Sequence, residues 1–179
     1  MKKPETIKEI NMTVIDDSYF QSLYSLKDKP VISSDVADFL ENTAREFKPY
    51  DKFKLNIFSD TIYEEDKSVY KKSIHNYYNL RIQELKHQMR QKTVLASIFL
   101  LIGLAALVVM FIYIKINNNE IGYQLIQIFS WVFIWEAVHT FFIERRSLRL
   151  AMRRYVSLSD MDVNFFKLTK ENQNDQQSK

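Results

Sequence analysis

Thr93–Ile116 reads TVLASIFLLIGLAALVVMFIYIKI, and from Val94 to Ile114 it holds 21 residues without a charged side chain. As a helix, that stretch is roughly 31 Å long at ~1.5 Å per residue, close to the ~30 Å hydrocarbon core of a bilayer. It is apolar on every side, so an amphipathic helix lying on a soluble core does not explain it. A fully buried helix would need a large surrounding core, which the rest of the chain is too short to build. The stretch begins at residue 93, which excludes a cleaved signal peptide. It predicts a first transmembrane helix over 93–116.

A second apolar stretch follows at 121–143. It is rich in Leu, Ile, Phe and Trp, and it carries Gln124, Gln127, Ser130, Glu136, His139 and Thr140. Only residues 117–120, Asn-Asn-Asn-Glu, separate the two stretches, so the expected arrangement is an antiparallel hairpin with an outer loop over 117–120. A single span with a re-entrant second segment is the alternative. Basic residues set the orientation. Arg81, Lys86, Arg90 and Lys92 precede the first span, and Arg145, Arg146, Arg149, Arg153 and Arg154 follow the second, whereas only Lys115 and Glu120 flank the loop. The positive-inside rule then predicts a multi-pass protein of the cell (inner) membrane with both termini in the cytoplasm. Tyr113 and Tyr123 fall at the outer interface, where amphipathic rings are favoured. The arginine cluster reads as a topology signal and a contact for anionic lipid, not as a nucleic-acid patch.

Composition agrees with a small, helix-rich chain. There are 179 residues with a net charge of +3, only 2 glycines and 3 prolines, and no cysteine, so disulfides and thiolate metal sites are excluded. Ile10, Met12 and Val14 alternate with polar neighbours, as do Phe53, Leu55 and Ile57, and later Met161, Val163 and Phe165; each set predicts a half-buried strand. Phe20, Leu23 and Tyr24 suggest a short helix. Ser34 reads as the N-cap of a helix whose stripe is Val36, Phe39, Leu40 and Phe47 and which Pro49 ends. Thr61 and Glu64 have capping-box spacing. Apolar residues from Val69 to Met89 then repeat at three and four, with no breaker before the first span.

The expected fold class is an α-helical transmembrane hairpin of two spans with a small cytoplasmic α/β unit, built from the N-terminal region and a C-terminal strand. Residues 1–60 form the cytoplasmic α/β region, the first five of them frayed. Residues 61–92 form an amphipathic helical stalk continuous with the first span. After the second span, 144–168 supply a basic helix and a strand that returns to the cytoplasmic sheet, since two strands alone are marginal. Residues 169–179 are polar and expected to be disordered.

Ionisable groups within a span are costly and usually face protein, which singles out Glu136 and His139. Gln124, Gln127, Trp131, Trp135 and His139 share one side of the second span, with Glu136 at its edge. Ser97 on the first span lies at about the depth of His139, so a hydrogen-bonded contact between them is expected. The intramembrane polar set is therefore Glu136, His139, Gln124, Gln127 and Ser97; the membrane-flanking basic set is Arg90, Lys92, Arg145, Arg146 and Arg149. Interhelical glue, an oligomer contact and a proton or ion role are the three readings of the first set. Ala96, Gly103 and Met110 recur every seven residues, with Ala106 beside them, as a small-residue face for a helix of the same chain or of a second copy.

Nucleotide-binding, zinc-protease, hydrolase and kinase motifs are all absent. His75, His87 and His139 lack metal-ligand spacing. Asp16-Asp17 and Glu64-Glu65-Asp66 read as a strand end and a helix N-terminus. No catalytic residue, cofactor or metal is assigned, and the chain is not read as an enzyme. The segment Trp131-Val132-Phe133-Ile134-Trp135-Glu136, between an apolar span and an Arg-rich turn, resembles a group of small uncharacterised two-span proteins of low-GC bacteria. The resemblance implies a layout and no activity. The functional expectation is a membrane-anchored sensor or interaction module whose partners are the lipid bilayer, a second copy of the chain, and a cytoplasmic protein or small ligand. The alternative is an oligomerising membrane effector or pore-forming protein of stress or phage defence.

Overall fold

The computed structural model describes residues 7–26, 28–116 and 120–168, the side chain of Glu120 excepted. The described residues form two compact units, one from those up to 83 and from 151 onward, the other from those between 84 and 150. Of the outer loop expected over 117–120, residues 117–119 lie outside the described residues and Glu120 is already helical; the frayed first residues and the polar tail from 169 also lie outside them.

The first unit is built on a three-stranded sheet: β1 (Ile7–Thr13), β2 (Lys52–Phe58) and β3 (Asp162–Phe166), in the order β1-β2-β3 with both pairs parallel. Parallel neighbours cannot be joined by a tight turn, so each link is a crossover. Helix α1 (Ser34–Arg45) lies in the first. The second holds α2 (Glu64–Ile116), α3 (Glu120–His139), a π-helical turn (Thr140–Glu144) and α4 (Arg145–Ser159). The late strand thus joins the two early ones, as the alternating patterns predict.

Ile10, Leu55 and Val163 form one register row and are buried, as are Met12 and Ile57 in the next. Ala37, Leu40 and Ala44 of α1, Tyr70, Ile74 and Tyr78 of α2, and Leu158 of α4 join the same core. The opposite side of the sheet carries polar rows, Glu9–Lys54–Asp162 and Asn11–Asn56–Asn164. There the Asn56 amide donates to Asn11 Oδ1 at 2.9 Å and to Glu9 Oε2 at 3.4 Å. This division explains why parallel strands, which usually read as continuous apolar runs, alternate here.

Four local expectations are corrected. The N-cap of α1 is Ser33, whose hydroxyl accepts from Val36 N; Ser34 is already helical. That register points Ala37, Leu40 and Ala44 inward and leaves Phe39 at 40% exposure. Phe20, Leu23 and Tyr24 form no helix. A 3-10 turn at Asp17–Tyr19 precedes a loop closed by Ser22 N to Val31 O and Ser33 N to Phe20 O. Phe20 alone turns inward, edge-on to Tyr70 at 4.6 Å, while Leu23 and Tyr24 are exposed; one buried side chain makes no amphipathic stripe. The capping box at Thr61–Glu64 is not formed, because Thr61 pairs with Ser59 through both its amide and its hydroxyl and the helix starts at Glu64. Finally, the helix expected over 121–143 is α-helical only to His139 and passes through the π turn into α4.

The second unit is a pair of helical segments. Helix α2 is unbroken across 88–94, as the stalk pattern predicts. Both α2 and the helical run from Ile121 to Ser159 are long and apolar enough to cross a membrane.

Candidate functional site

The contact between α2 and α3 is set by small residues. The Ser130 hydroxyl donates to the Gly103 carbonyl oxygen at 2.7 Å, and Ser130 is fully buried. A Cβ on Gly103 would meet Ile134 Cγ1 at 2.6 Å and the Ile134 nitrogen and Ser130 carbonyl oxygen at 3.2 Å each. The chain has two glycines, and the other, Gly122, faces the Tyr113 ring in the same way. Ala96 and Ala137 are buried at 4% and 5%. The small-residue face of the first helix is therefore occupied by the second helix of the same chain. Small side chains let the backbones approach, and the approach makes a serine-to-carbonyl bond reachable.

This packing decides where the polar side of α3 points. Gln124, Gln127 and Glu136 are exposed, with Trp131 and Trp135 each at 62% exposure. The expectation that these groups face protein is not met within this chain. The expected contact between Ser97 and His139 is not formed either. Ser97 is exposed and its hydroxyl donates to Thr93 O one turn earlier at 3.0 Å. His139 is half-buried, and its Nδ1 is enclosed with no hydrogen-bond partner among the described residues.

Charge gathers at the far end of the hairpin. Lys92 Nζ lies 2.7 Å from Glu144 Oε2, with the two side chains 43% and 33% exposed. Glu144 was missed by sequence reasoning. Yet an antiparallel hairpin that starts at Lys92 sets the end of its second helix beside that lysine, so equal depth was the available signal. Glu144 is the last residue of the π turn, whose first residue, Thr140, is 1% exposed. The Arg145 guanidinium stands 5.1 Å from the centre of the Phe141 ring. Lys92 and Arg145 are thus engaged within the hairpin, whereas Arg90, Arg146 and Arg149 are exposed. π turns occur often at functional sites.

The α/β unit carries a cleft of about 590 Å³ at the carboxyl ends of β2 and β3. Ser59, Asp60, Tyr63, Glu64, Lys67 and Lys167 line it with groups of both charges, over a floor that includes Ile57 and Phe165. The Lys67 ammonium lies 5.6 Å from the centre of the Phe165 ring and pairs with Glu64. Asp60 Oδ1 accepts from the Leu168 amide at 3.0 Å. In open α/β sheets, ligands bind outside the carboxyl ends of the strands. Local sequence pattern carries no sign of this cleft, because β3 is brought to β2 from across the whole hairpin insertion.

Two tyrosines, Tyr70 and Tyr155, tie the core to polar partners, and a third, Tyr78, is buried with no hydrogen-bond partner for its hydroxyl among the described residues. The Tyr70 hydroxyl donates to Asp17 Oδ2 and the Tyr155 hydroxyl to Glu41 Oε2, both at 3.1 Å. Burial, seconded by the Asp17 charge for Tyr70 and the Glu41 charge for Tyr78 and Tyr155, pushes all three phenols above the usual tyrosine range. His75 Nδ1 faces the Ser159 hydroxyl at 3.0 Å and the Ser159 carbonyl at 3.3 Å, fastening the end of α4 to α2. Hydrogen bonding by the Ser18 side chain, and by Ser18 N at 2.9 Å, holds the Asp16 carboxyl below the ordinary range. The Asp16-Asp17 and Glu64 carboxylates are thus explained by capping, a tyrosine bond and a lysine. Among the described residues no group of three or more His, Asp or Glu is placed to hold a metal ion. No protein-family model, curated protein or solved structure matches the chain.

Proposed function

We propose that this protein is a non-catalytic, membrane-anchored sensor or interaction module. Its hairpin spans the cell membrane, both termini lie in the cytoplasm, and the α/β unit receives a protein or a small polar ligand. One observation carries the reading. Only 11% of the most apolar window of α2, and 17% of that in the run from Ile121 to Ser159, is covered by the chain itself. A core helix of a soluble protein is mostly buried, whereas here most residues of both windows keep apolar surface open to lipid. Arg90, Arg146 and Arg149 at one end of the hairpin support the orientation, and the mixed-charge cleft supports a small polar ligand. The test is topology. The chain resists alkaline extraction from membranes, a green fluorescent protein fused to either terminus fluoresces, and alkaline phosphatase fused to either terminus stays inactive. Release into the supernatant, or active phosphatase at either end, rejects the reading.

A second reading, an assembling pore, draws on the outward Gln124 and Gln127. Trp131 and Trp135 on the same side weigh against it, since two large rings make a poor lining for water. Induced expression with a membrane-potential dye separates the two: a module leaves the potential intact, and a pore collapses it.

A further inference from the structure

A side of α3 not packed on α2 holds Gln124, Gln127, Trp131 and Trp135, spaced by three and four residues along one stripe. All are exposed, Trp131 and Trp135 at 62%. If α3 lies in a bilayer, this stripe meets hydrocarbon, which offers nothing to an amide or an indole N–H. The interface preference of tryptophan does not account for it. At ~1.5 Å per residue from the helix start, Trp131 sits about 16 Å along, near the middle of a ~30 Å core, and Trp135 about 22 Å along, still roughly 8 Å short of its end. The needed partner must present donors and acceptors at the same depth. A glutamine amide holds one of each kind of group, so two glutamines facing each other across a two-fold axis satisfy one another. A second copy of α3, running parallel, brings Gln124 to Gln124 and Gln127 to Gln127 by symmetry. The three-and-four spacing is also that of a left-handed helix pair, with the tryptophans filling the middle of the seam.

We infer that the protein self-associates through a parallel α3–α3 seam centred on Gln127 and Trp131, the occupant being a second copy of this chain. The inference rests on the hairpin lying in a membrane and adds to it the face and the partner. Small-residue packing is already spent on α2, which leaves this stripe as the contact surface.

The absence of cysteine in the chain makes the test clean, since each variant carries one thiol. Single variants Gln124→Cys and Gln127→Cys lie on the seam. Leu125→Cys and Val132→Cys lie off it, although Leu125 and Val132, at 63% and 59%, are exposed as Gln124 and Gln127 are. In native membranes a short bis-maleimide cross-links the first two into dimers and leaves the second two monomeric. Equal cross-linking at Leu125→Cys or Val132→Cys, or none at Gln124→Cys and Gln127→Cys while the chain stays in the membrane pellet, overturns the seam and leaves the membrane reading standing. Loss of the chain from the pellet removes both. As a second measurement, energy transfer between labelled copies in vesicles reports dissociation on lipid dilution. Gln127→Leu weakens the dimer about 3- to 20-fold, the range expected of interhelical hydrogen bonds in membranes. Unchanged or tighter association overturns the inference.

Discussion

Gly103→Ala and Gly122→Ala add the same methyl group to the same hairpin, and the two costs are expected to differ sharply. At Gly103 the new Cβ meets Ile134 Cγ1 at 2.6 Å, and behind it two backbone atoms of α3 at 3.2 Å. Ile134 has little rotamer freedom in a helix, and the backbone atoms yield only if the helices part. Overpacking of this kind costs about 1–3 kcal/mol. Parting the helices also stretches the 2.7 Å bond from Ser130 to the Gly103 carbonyl, worth a further ~0.6–1.7 kcal/mol. The better helix propensity of alanine returns at most ~1 kcal/mol. The net loss is about 1–3 kcal/mol. At Gly122 the three nearest atoms all belong to the Tyr113 ring and hydroxyl, the far end of a side chain that can swing aside. There the loss is within about 0.5 kcal/mol of zero. The assay is unfolding of the detergent-solubilised protein by dodecyl sulfate, followed by circular dichroism at 222 nm. Ser130→Ala adds a check on coupling: it costs about 1 kcal/mol in the parent and little in the Gly103→Ala background. A Gly103→Ala protein as stable as Gly122→Ala refutes the close approach and the rotation of α3 that depends on it.

Reversing one partner of the Lys92–Glu144 pair, as in Glu144→Lys, lowers stability in the same titration. The Lys92→Glu, Glu144→Lys double variant recovers most of the loss, the pair being worth about 1 kcal/mol at this exposure; no recovery means the two charges do not interact. Tyr155→Phe removes the donor to Glu41 and costs about 1 kcal/mol, read as a lower midpoint of thermal unfolding, whereas an unchanged midpoint dismisses that bond. In an alkaline titration followed at 295 nm, Tyr70, Tyr78 and Tyr155 remain phenols past the ordinary tyrosine range near pH 10. Their folded-state values are raised, so their contribution to stability is complete below about pH 10 and is lost as pH climbs from there toward those values. Ionisation of all ten tyrosines in one transition near pH 10 with the fold retained contradicts this burial.

Much of the architecture was legible because it depends on local pattern. Alternation at Ile10–Val14, Phe53–Ile57 and Met161–Phe165 marks three strands, and the unbroken repeat from Val69 to Met89 leads into the first apolar stretch without a stop. The exact starts of helices were less so. Ser33 and Ser34 are chemically equal caps, and only the burial of Ala37, Leu40 and Ala44 against the sheet chooses between them. The parallel direction of β3, and with it the cleft beside Lys67 and Lys167, depends on an arrangement set by more than a hundred intervening residues.

The polar side of α3 shows a different limit. Helical periodicity fixes which residues share a face: Gln124, Gln127, Trp131 and Trp135 on one, Ser130 and Ala137 on another. It does not fix which face turns toward the neighbouring helix. Two rules compete for that choice. Polar groups in a span tend to face protein, and small residues let helices close on one another. Between two helices of one chain the second rule wins here, because Gly103 admits Ile134 and Ser130 at contact distance, and no rotation that brings Trp131 or Trp135 to that position leaves room for an indole. The first rule is then unsatisfied within the chain, and it remains as a demand on whatever lies beyond it. In the proposed membrane-spanning arrangement, a helix that spends its small residues on an internal contact and keeps its amides outside has two faces to cover and one partner of its own, which is the reason for placing the proposed second copy at the outward amides.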